Sequence, residues 1–328
     1  MKALVTGVSG FIGSHVAERI LSEGFDVRCL MRKSSQNKWL DKSKYDFVIA
    51  DFDDKEGLKK ALKDVDYVFH VAGLNFAKNK DDYQRTNTIG TRQLIEAVYE
   101  NQVNLKRFLY VSSLTATGPS LTKDNPVNEE SPRNPVTAYG LSKKLAEDEV
   151  ILYKGKVPFT IIKPPAVIGP RDTAIFSIFK IMYLGFAAHI GLNKKYISLI
   201  HSTDLANGIV EAALSENTID QSYMLTNDEF HNWDYISDIF KSQMNKSFYI
   251  KVKIPDSVVM ALGRTLEFTY GLFGKHPMLD TDKAIDITRN FWTCTADKAK
   301  RDFGFRQTIS FEDGVKNTFE WYKKHKWL

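Results

Sequence analysis

A tyrosine and a lysine stand four residues apart near the middle of the chain, in the segment Tyr139-Gly-Leu-Ser-Lys143. Residues at this spacing share one face of a helix, which places the ammonium close to the phenol. A neighbouring positive charge lowers the pKa of a phenol from about 10 towards the neutral range. We therefore expect Tyr139 to exchange a proton with an alcohol or a carbonyl, assisted by Lys143.

The same spacing occurs twice more, at Tyr249 and Lys253 and at Tyr322 and Lys326, so the spacing alone is not specific. Tyr249 lies in an alternating, strand-like stretch, in which residues four apart lie far apart along one face. Tyr322 lies in a lysine-rich C-terminal segment with the pattern of a helix. The context of Tyr139 is different from both.

An apolar strand ends at Ser112 and Ser113, 26 residues before Tyr139. A hydroxyl at the carboxyl end of a central strand can donate a hydrogen bond to a substrate oxygen or accept one. We predict a catalytic group of Ser113, Tyr139 and Lys143, with a turn serine as the alternative for Ser113.

Three glycines spaced three apart follow the first apolar strand and begin an amphipathic helix. Such glycines permit a tight strand-to-helix turn, close approach of backbone to a pyrophosphate and close packing of helix on strand. The phosphates would lie at the positive end of the helix. The pattern predicts a dinucleotide site, and a hydride would then pass to or from the nicotinamide. The predicted contacts in this loop are Gly7, Ser9, Gly10, Phe11, Ile12 and Gly13.

Apolar, strand-like runs alternate with segments of helical periodicity through the first half of the chain. This alternation predicts an α/β fold with a parallel, doubly wound sheet and helices on both faces. Ligands bind at the carboxyl ends of the strands in such sheets. The predicted strands are Ala3–Thr6, Phe25–Met31, Tyr45–Ala50, Tyr67–Val71, Arg107–Ser112 and Phe159–Lys163.

No acidic residue follows the second strand, where an Asp or Glu would bind the adenosine ribose of NAD. Arg32 stands there instead, and a guanidinium pairs well with a 2′-phosphate. We expect NADP(H) to be preferred, with NAD(H) still possible. Ser9, Lys33 and Ser34 are lesser candidates for this contact, and a merely solvated Arg32 is the alternative.

Further cofactor contacts are predicted after the third and fourth strands. Asp51 either contacts the adenine or caps the helix that follows it. His70 is expected to be a packed histidine rather than a catalyst. Asn87, on a helix predicted from Tyr83 to Gln102, is expected to be hydrogen-bonded near the catalytic strand. The predicted contacts outside the glycine loop also include Asp51, Phe52, Val71, Ala72, Gly73, Asn87, Ser112, Tyr139 and Lys143.

Composition limits the function classes. Charged residues make up 26% of the 328 residues, and 45 basic residues are intermixed with 40 acidic ones, for a net charge of +5. We therefore expect no nucleic-acid partner and no membrane-binding stripe. Cys29 and Cys294 lack metal-ligand spacing, so we expect free thiols and no metal. A strand beginning at Lys2 leaves no room for a signal peptide, which favours a cytoplasmic location.

The motifs together resemble the extended short-chain dehydrogenases/reductases, a group often labelled NAD-dependent epimerase/dehydratase. The segments that carry the resemblance are the Gly7 loop, His70–Gly73, Ser112-Ser113, Tyr139-x-x-x-Lys143 and Lys163–Pro170. It spans nearly the whole chain. It implies a Rossmann-type domain over 1–170 with a return segment near 197–226. A smaller, mainly helical substrate lobe would comprise 171–196 and 227–328.

The resemblance also assigns roles by position. Ser113, Tyr139 and Lys143 match the catalytic Ser/Thr, Tyr and Lys of the family, and Pro165 to Val167 match the segment whose backbone faces the nicotinamide amide. Pro165 and Val167 thus join the predicted cofactor contacts. Family habit implies a homodimer through the helices around Asn87–Val98 and Tyr139–Val150.

Departures from the family pattern narrow the expected chemistry. Leu114-Thr115 replaces the Asp-Glu pair of sugar dehydratases, which makes dehydration unlikely. Ala166 replaces an Asn typical of nucleotide-sugar epimerases. Arg32 and the Pro164-Pro165 segment look more like dihydroflavonol reductases and 3β-hydroxysteroid dehydrogenases. We expect an NADP(H)-dependent oxidoreductase acting on a ketone or secondary alcohol, with an epimerase or a non-catalytic NADP(H)-binding regulator as alternatives.

The stretch 174–199 is rich in apolar and aromatic residues, although Lys180 interrupts it and it is too short to span a membrane. One interpretation is the core of a small lobe. The other is the wall of an apolar substrate pocket formed in part by Phe176, Phe179, Met182 and Tyr183. A second apolar helix, from Ser257 to Phe273, is expected to cover that pocket or to pack on a partner, on lipid or in the core.

Overall fold

The computed structural model describes residues 1–77, 79–101, 104–245, 249–273, 275, 277 and 279–328. Its centre is a seven-stranded sheet in the order β10-β6-β5-β4-β1-β2-β3, in which every neighbouring pair is parallel. Strand order reverses beside β1, as in a doubly wound fold, so the predicted fold class is confirmed. The strands are β1 (Lys2–Thr6), β2 (Asp26–Met31), β3 (Asp46–Ile49), β4 (Tyr67–His70), β5 (Arg107–Val111), β6 (Phe159–Lys163) and β10 (Gln221–Met224).

Helices cover both faces of this sheet. One face is covered by α1 (Phe11–Ser22) and α7 (Ser202–Leu214), and the other by α2 (Lys55–Leu62), α4 (Gly90–Asn101) and α5 (Ala138–Ile151). A short helix, α3 (Lys80–Tyr83), runs through a π-helical segment, Gln84–Ile89, into α4. The single helix predicted over this region therefore contains a π segment, and its predicted end, Gln102, lies outside the described residues.

The second lobe contains two small sheets. In one, β9 (Tyr196–His201) pairs with β7 (Ala166–Ile168), β11 (Phe230–Asn232) and β13 (Phe291–Trp292); in the other, β8 (Phe186–Ile190) pairs with β12 (Ile250–Ile254). Its helices are α6 (Phe176–Tyr183), α8 (Trp233–Gln243), α9 (Asp256–Gly271), α10 (Thr281–Thr288), α11 (Asp297–Phe303) and α12 (Phe311–Lys324).

The chain returns to the large sheet twice. The first return supplies α7 and the edge strand β10, within the expected segment 197–226. The second supplies Ala296, Ala299 and Phe305, which are buried in the same apolar core as α1 and α7. Among the described helices, none is long and apolar enough to cross a bilayer.

Candidate active site

The hydroxyl of Ser113 lies directly beyond the end of β5. Ser113 begins a 3₁₀ turn, Leu114–Ala116, and its Oγ accepts hydrogen bonds from Thr115 N (3.2 Å) and Thr115 Oγ1 (2.9 Å). The helix α5 starts close by, capped by Thr137, whose Oγ1 accepts from Gly140 N at 3.0 Å. Tyr139 is therefore held in the first turn of α5, beside the end of the strand.

The phenol of Tyr139 is partly covered by protein. Burial raises its pKa to about 12, an interaction with the Ser113 hydroxyl acts in the opposite direction, and Tyr83 and Asp286 raise it further. The expectation that this pKa is lowered is wrong, because burial of the phenol outweighs the groups that favour its charged form. At neutral pH the phenol carries its proton.

Lys143 is buried, and its ammonium points back to the strand. Nζ donates to the carbonyl oxygen of Val111 at 2.8 Å and lies 4.7 Å from the centre of the Tyr110 ring. Burial lowers the pKa of Lys143 to about 7, while the negative charge of Glu147 raises it. The ammonium can therefore gain or lose its proton near neutral pH.

Glu147, one turn further along α5, anchors a buried polar cluster that the sequence interpretation missed. Its carboxylate accepts from Ser112 Oγ at 2.5 Å and pairs with Lys163 Nζ at 2.9 Å and with Arg133 Nη1 at 3.4 Å. The cluster ties the helix bearing Tyr139 to the ends of β5 and β6. The Ser112 hydroxyl, a predicted cofactor contact, is turned towards Glu147 instead. The one local sequence signal for this cluster is the four-residue spacing of Lys143 and Glu147.

The glycine loop between β1 and α1 has the geometry expected of a phosphate-binding turn. Gly7 has φ +76°, and a Cβ there would lie 2.7 Å from Ala72 N. A Cβ on Gly13 would lie 2.2 Å from the carbonyl oxygen of Gly7, so helix and loop are packed too closely for any side chain. Gly10 is the N-cap of α1 and has no side chain that could cap this end of the helix. The backbone amides of Phe11 and Ile12 follow directly, so this loop fits a pyrophosphate.

The loop after β4 joins the glycine turn to the catalytic group. Ala72 N donates to Thr6 Oγ1 at 3.0 Å, which holds the backbone around Val71 and Ala72 beside β1. A Cβ on Gly73 would lie 3.3 Å from Lys143 Nζ and 3.4 Å from Asn87 Oδ1. The backbone at Gly73 is therefore immediately next to the ammonium.

His70 is fully buried beneath this loop. Its ring nitrogens bond to Thr6 Oγ1 and Thr91 Oγ1, each at 2.9 Å, and its ring stacks on Tyr110. Burial, assisted by the charge of Lys143, lowers the pKa of His70 to about 3. A neutral ring with both nitrogens bonded is a packed histidine, as the sequence interpretation held.

Asn87, in the π-helical segment, clamps the loop after β4. Its Oδ1 accepts from Leu74 N at 2.7 Å, and its Nδ2 donates to Leu74 O at 2.9 Å and to Ser142 Oγ at 3.0 Å. It thus links that loop to α5 between Tyr139 and Lys143. The expected structural role of Asn87 near the catalytic strand is what the geometry provides.

The predicted adenosine contacts lie at the ends of β2 and β3. Arg32 is exposed, and its guanidinium makes no hydrogen bond or ion pair with any described residue. Asp51 is exposed, and Asp54 caps α2 through Gly57 N at 2.9 Å. The alternative that Asp51 caps this helix is therefore wrong. Phe52 packs edge-on against His70 and next to Gly90.

The segment after β6 turns away from the large sheet. Leu114 N donates to Pro164 O at 2.8 Å, which places Pro165 directly beside the turn that begins at Ser113. Val167, in β7, pairs with Ile200 in β9 and packs against the core beneath α1.

A helix from the second lobe lies over the start of α5. The carboxylate of Asp282 in α10 accepts from Ala138 N at 2.5 Å and pairs with Lys80 at 3.4 Å. Asp286, one turn later, is close enough to raise the pKa of Tyr139. The sequence carried no signal for this contact, which joins residues 144 positions apart.

Three of the four predicted substrate residues, Phe176, Phe179 and Met182, pack in the core of the second lobe. Phe179 is fully buried against Phe240 and Tyr322, with ring centres 4.4 and 5.1 Å away. Met182 is also buried in this core, so neither side chain faces a substrate. Phe176 packs on Tyr322 and Trp327, whereas Tyr183 is more exposed and contacts Phe319. The alternative interpretation of this stretch as core is thus the one that the packing supports.

Comparison with known proteins gives a consistent result. The family described as NAD dependent epimerase/dehydratase family matches residues 3–224. A ceramide reductase of Caulobacter vibrioides is 24% identical over 325 residues, which cover 99% of this chain and 95% of that protein. A decarboxylating sterol-4-alpha-carboxylate 3-dehydrogenase of Dictyostelium discoideum is 24% identical, with 95% and 98% covered.

Among solved structures, a UDP-glucose 4-epimerase of Thermotoga maritima in complex with UDP-glucose superimposes with a TM-score of 0.80. It is 20% identical to this chain, and the match covers 99% of this chain and 100% of the other. At this identity the likeness concerns the fold.

Proposed function

Because the chain belongs to the NAD-dependent epimerase/dehydratase family and is an extended, NAD(P)-dependent short-chain dehydrogenase/reductase, we propose that it interconverts a ketone and a secondary alcohol. The substrate is an apolar or moderately polar small molecule. The observation that carries the proposal is the meeting of Ser113 and Tyr139 at the end of β5, with Lys143 one helical turn behind.

In this proposal Tyr139 holds the proton that the substrate oxygen receives. Its raised pKa keeps the phenol protonated at neutral pH, which suits donation to a carbonyl. The Ser113 hydroxyl, next to the phenol, orients the same substrate oxygen. A bound nicotinamide would supply or accept the hydride.

Lys143 has two tasks in this mechanism. Its position beside Gly73 places it where a cofactor ribose would pass over the loop after β4. Its contact with Val111 O fixes the ammonium, so that α5 and β5 keep a constant spacing. The Glu147 cluster and Asn87 then hold α5 in register with the cofactor loop.

NADP(H) is the proposed cofactor of choice. Arg32 lies at the carboxyl end of β2, next to the glycine turn, and its guanidinium has no partner among the described residues. A free guanidinium there suits a 2′-phosphate, with Lys33 and Ser34 directly after it in sequence and Ser9 in the glycine loop.

The substrate class is supported by the relatives. Two proteins that match nearly the full chain are named for reactions on ceramide and on a sterol carboxylate, both largely apolar molecules. A carbonyl on an apolar skeleton is therefore the class to test first.

The proposal includes a homodimer and a cytoplasmic location. Exposed apolar side chains on α4 and at the end of α5, among them Tyr99, Ile151 and Leu152, support a shared interface through these helices. Both cysteines, Cys29 and Cys294, are free and buried, as is usual in a reducing compartment.

Fluorescence titration with NADPH and NADH, followed by a panel of carbonyl substrates with the preferred cofactor, tests the proposal. We expect tighter binding of NADPH and oxidation of one equivalent for each carbonyl reduced. Interconversion of sugar nucleotides without net cofactor turnover would favour the epimerase alternative instead. Binding of NADPH with no turnover, and full biological activity of Tyr139→Phe, would favour a regulator.

A further inference from the structure

The helix α9 and the turn after it leave one long apolar face uncovered. Val259 and Gly263 are buried against α10, where a Cβ on Gly263 would lie 2.9 Å from Ala284 Cβ. On the opposite side, large apolar side chains are exposed, and Phe268 and Phe273 show 69% and 79% of their surface. We call this the α9 face, and it comprises Val258, Leu262, Phe268, Leu272 and Phe273.

The α9 face carries no charge. At 3.6 residues per turn, its five apolar side chains span about 140° of the circumference. Within 256–273, all of which the structure describes, the charged residues are Asp256, Arg264 and Glu267, and each falls outside this arc. Two exposed threonines, Thr265 and Thr269, also lie within the arc, and the Thr269 hydroxyl donates to the backbone carbonyls of Thr265 and Leu266. An exposed, uncharged and largely apolar surface of this kind is uncommon on a soluble protein and marks a contact site.

Unpaired cations surround the α9 face. Lys253, at the end of β12, Arg264 on the flank of α9 and Lys275 after it are all exposed. None of these three side chains forms an ion pair or hydrogen bond with a described residue. An apolar face bordered by basic side chains is complementary to an anionic lipid surface, where the apolar groups enter the acyl boundary and the cations meet headgroups.

A second copy of this chain fits the same surface poorly. A twofold interface places a surface against itself, so the basic border of one copy would meet the basic border of the other. The charge pattern therefore favours the lipid surface.

The α9 face is close to the candidate active site. Its helix packs on α10, and α10 contacts the start of α5 through Asp282 and influences Tyr139 through Asp286. Two packed helices, α9 and α10, thus separate a bilayer bound at this face from the reacting groups.

We propose that the α9 face docks on the surface of an anionic bilayer, with α9 lying in the plane of the membrane. This goes beyond the proposed reaction and does not depend on it. Among the alternatives left open for the helix predicted from Ser257 to Phe273, it selects packing on lipid, whereas the evenly mixed charge along the sequence led us to expect no membrane-binding stripe. The apolar arc is not visible until the other side of α9 is seen to be buried.

Vesicle flotation tests the proposal with the full-length protein and no substrate. We expect the wild-type chain to float with vesicles of phosphatidylcholine and phosphatidylglycerol, and markedly less with phosphatidylcholine alone. The double variant Leu272→Ser with Phe273→Ser should partition at least about tenfold more weakly. The matched control, Leu121→Ser with Leu184→Ser, removes two similarly exposed apolar side chains elsewhere and should float like the wild type.

Arg264→Glu combined with Lys275→Glu should also weaken partitioning, and rising salt should reduce binding of the wild type. Thermal unfolding of each variant establishes that it is folded. Absence of wild-type flotation, or equal flotation of the Leu272/Phe273 variant, would overturn the proposal. So would a mass that doubles with protein concentration in the wild type but not in that variant, since a second copy would then occupy the face. Cofactor titration and turnover are measured separately, so failure here leaves the proposed reaction intact.

Discussion

The buried pair of Glu147 and Lys163 permits a quantitative test of how the catalytic helix is held. Their side chains are 1% and 4% exposed and meet at 2.9 Å, and Glu147 also accepts from Ser112. Glu147→Gln keeps the shape and the bond from Ser112 but leaves Lys163 as a buried, unpaired charge. Breaking one side of such a pair costs about 3–5 kcal/mol of unfolding free energy.

Removing both charges should restore most of that loss. Lys163→Met fills the same space without charge, so Glu147→Gln combined with Lys163→Met should lie within about 1 kcal/mol of the wild type. The implied coupling energy between the two side chains is then about 3 kcal/mol or more. Arg133 and Asp148 supply the control, because they meet at 2.7 Å near the surface, with 31% and 42% exposure. Asp148→Asn should cost no more than about 1 kcal/mol.

Urea unfolding followed by far-ultraviolet circular dichroism measures these free energies for the wild type, the single variants and the double variant. Equal slopes with urea would show that the same unfolding is being compared. Additive losses in the double variant would refute the reasoning, since they would mean that Glu147 and Lys163 stabilise the fold independently.

Four further outcomes are expected. Tyr139→Phe should lower kcat at least about a hundredfold and change NADPH affinity, measured by fluorescence titration, far less. Arg32→Asp should weaken NADPH binding more than tenfold and strengthen NADH binding, and an unchanged ratio would contradict the assigned role. The pKa of Lys143 is about 7 in the folded state, against an ordinary value of 10.5. Between these pH values the unfolded chain binds more protons than the folded chain, so the free energy of unfolding rises with pH. Lys143→Met should remove that rise in urea titrations at pH 7 to 10. Asn87→Ala should lower the unfolding free energy by about 1–3 kcal/mol and raise the KM for the cofactor, and an effect on stability alone would indicate only a packing role.

The parts of the fold that sequence predicted well are encoded locally. Each of the six predicted strands ends within one residue of the observed end, because each is a short apolar run followed by a turn signal. The glycine loop was equally predictable from sequence, because Gly7 and Gly13 occur at a fixed spacing within one strand-turn-helix unit. The edge strand β10 was not predicted, since it belongs to the return of the chain after 200.

The parts that sequence did not predict depend on distant contacts. Ser112 was assigned to the cofactor from its position alone, whereas its hydroxyl bonds to Glu147, 35 residues away. The pKa of Tyr139 follows from burial in the folded chain, with Tyr83 and the distant Asp286 raising it further. Phe179 is apolar in either interpretation, and only the position of α12 shows that it is core. Local sequence pattern shows where apolar and polar residues lie, whereas burial in the folded chain decides whether each one packs in the core or contacts a ligand.

The second return of the chain affects how the protein can be synthesised. Ala299 and Phe305 close the apolar layer over α1 and α7, so the face of the dinucleotide domain stays open to water until residue 305 has been made. A ribosome would have released the chain as far as Phe305 before this domain could become stable. Ending the chain near residue 170 should therefore give an aggregation-prone fragment rather than a small nucleotide-binding protein.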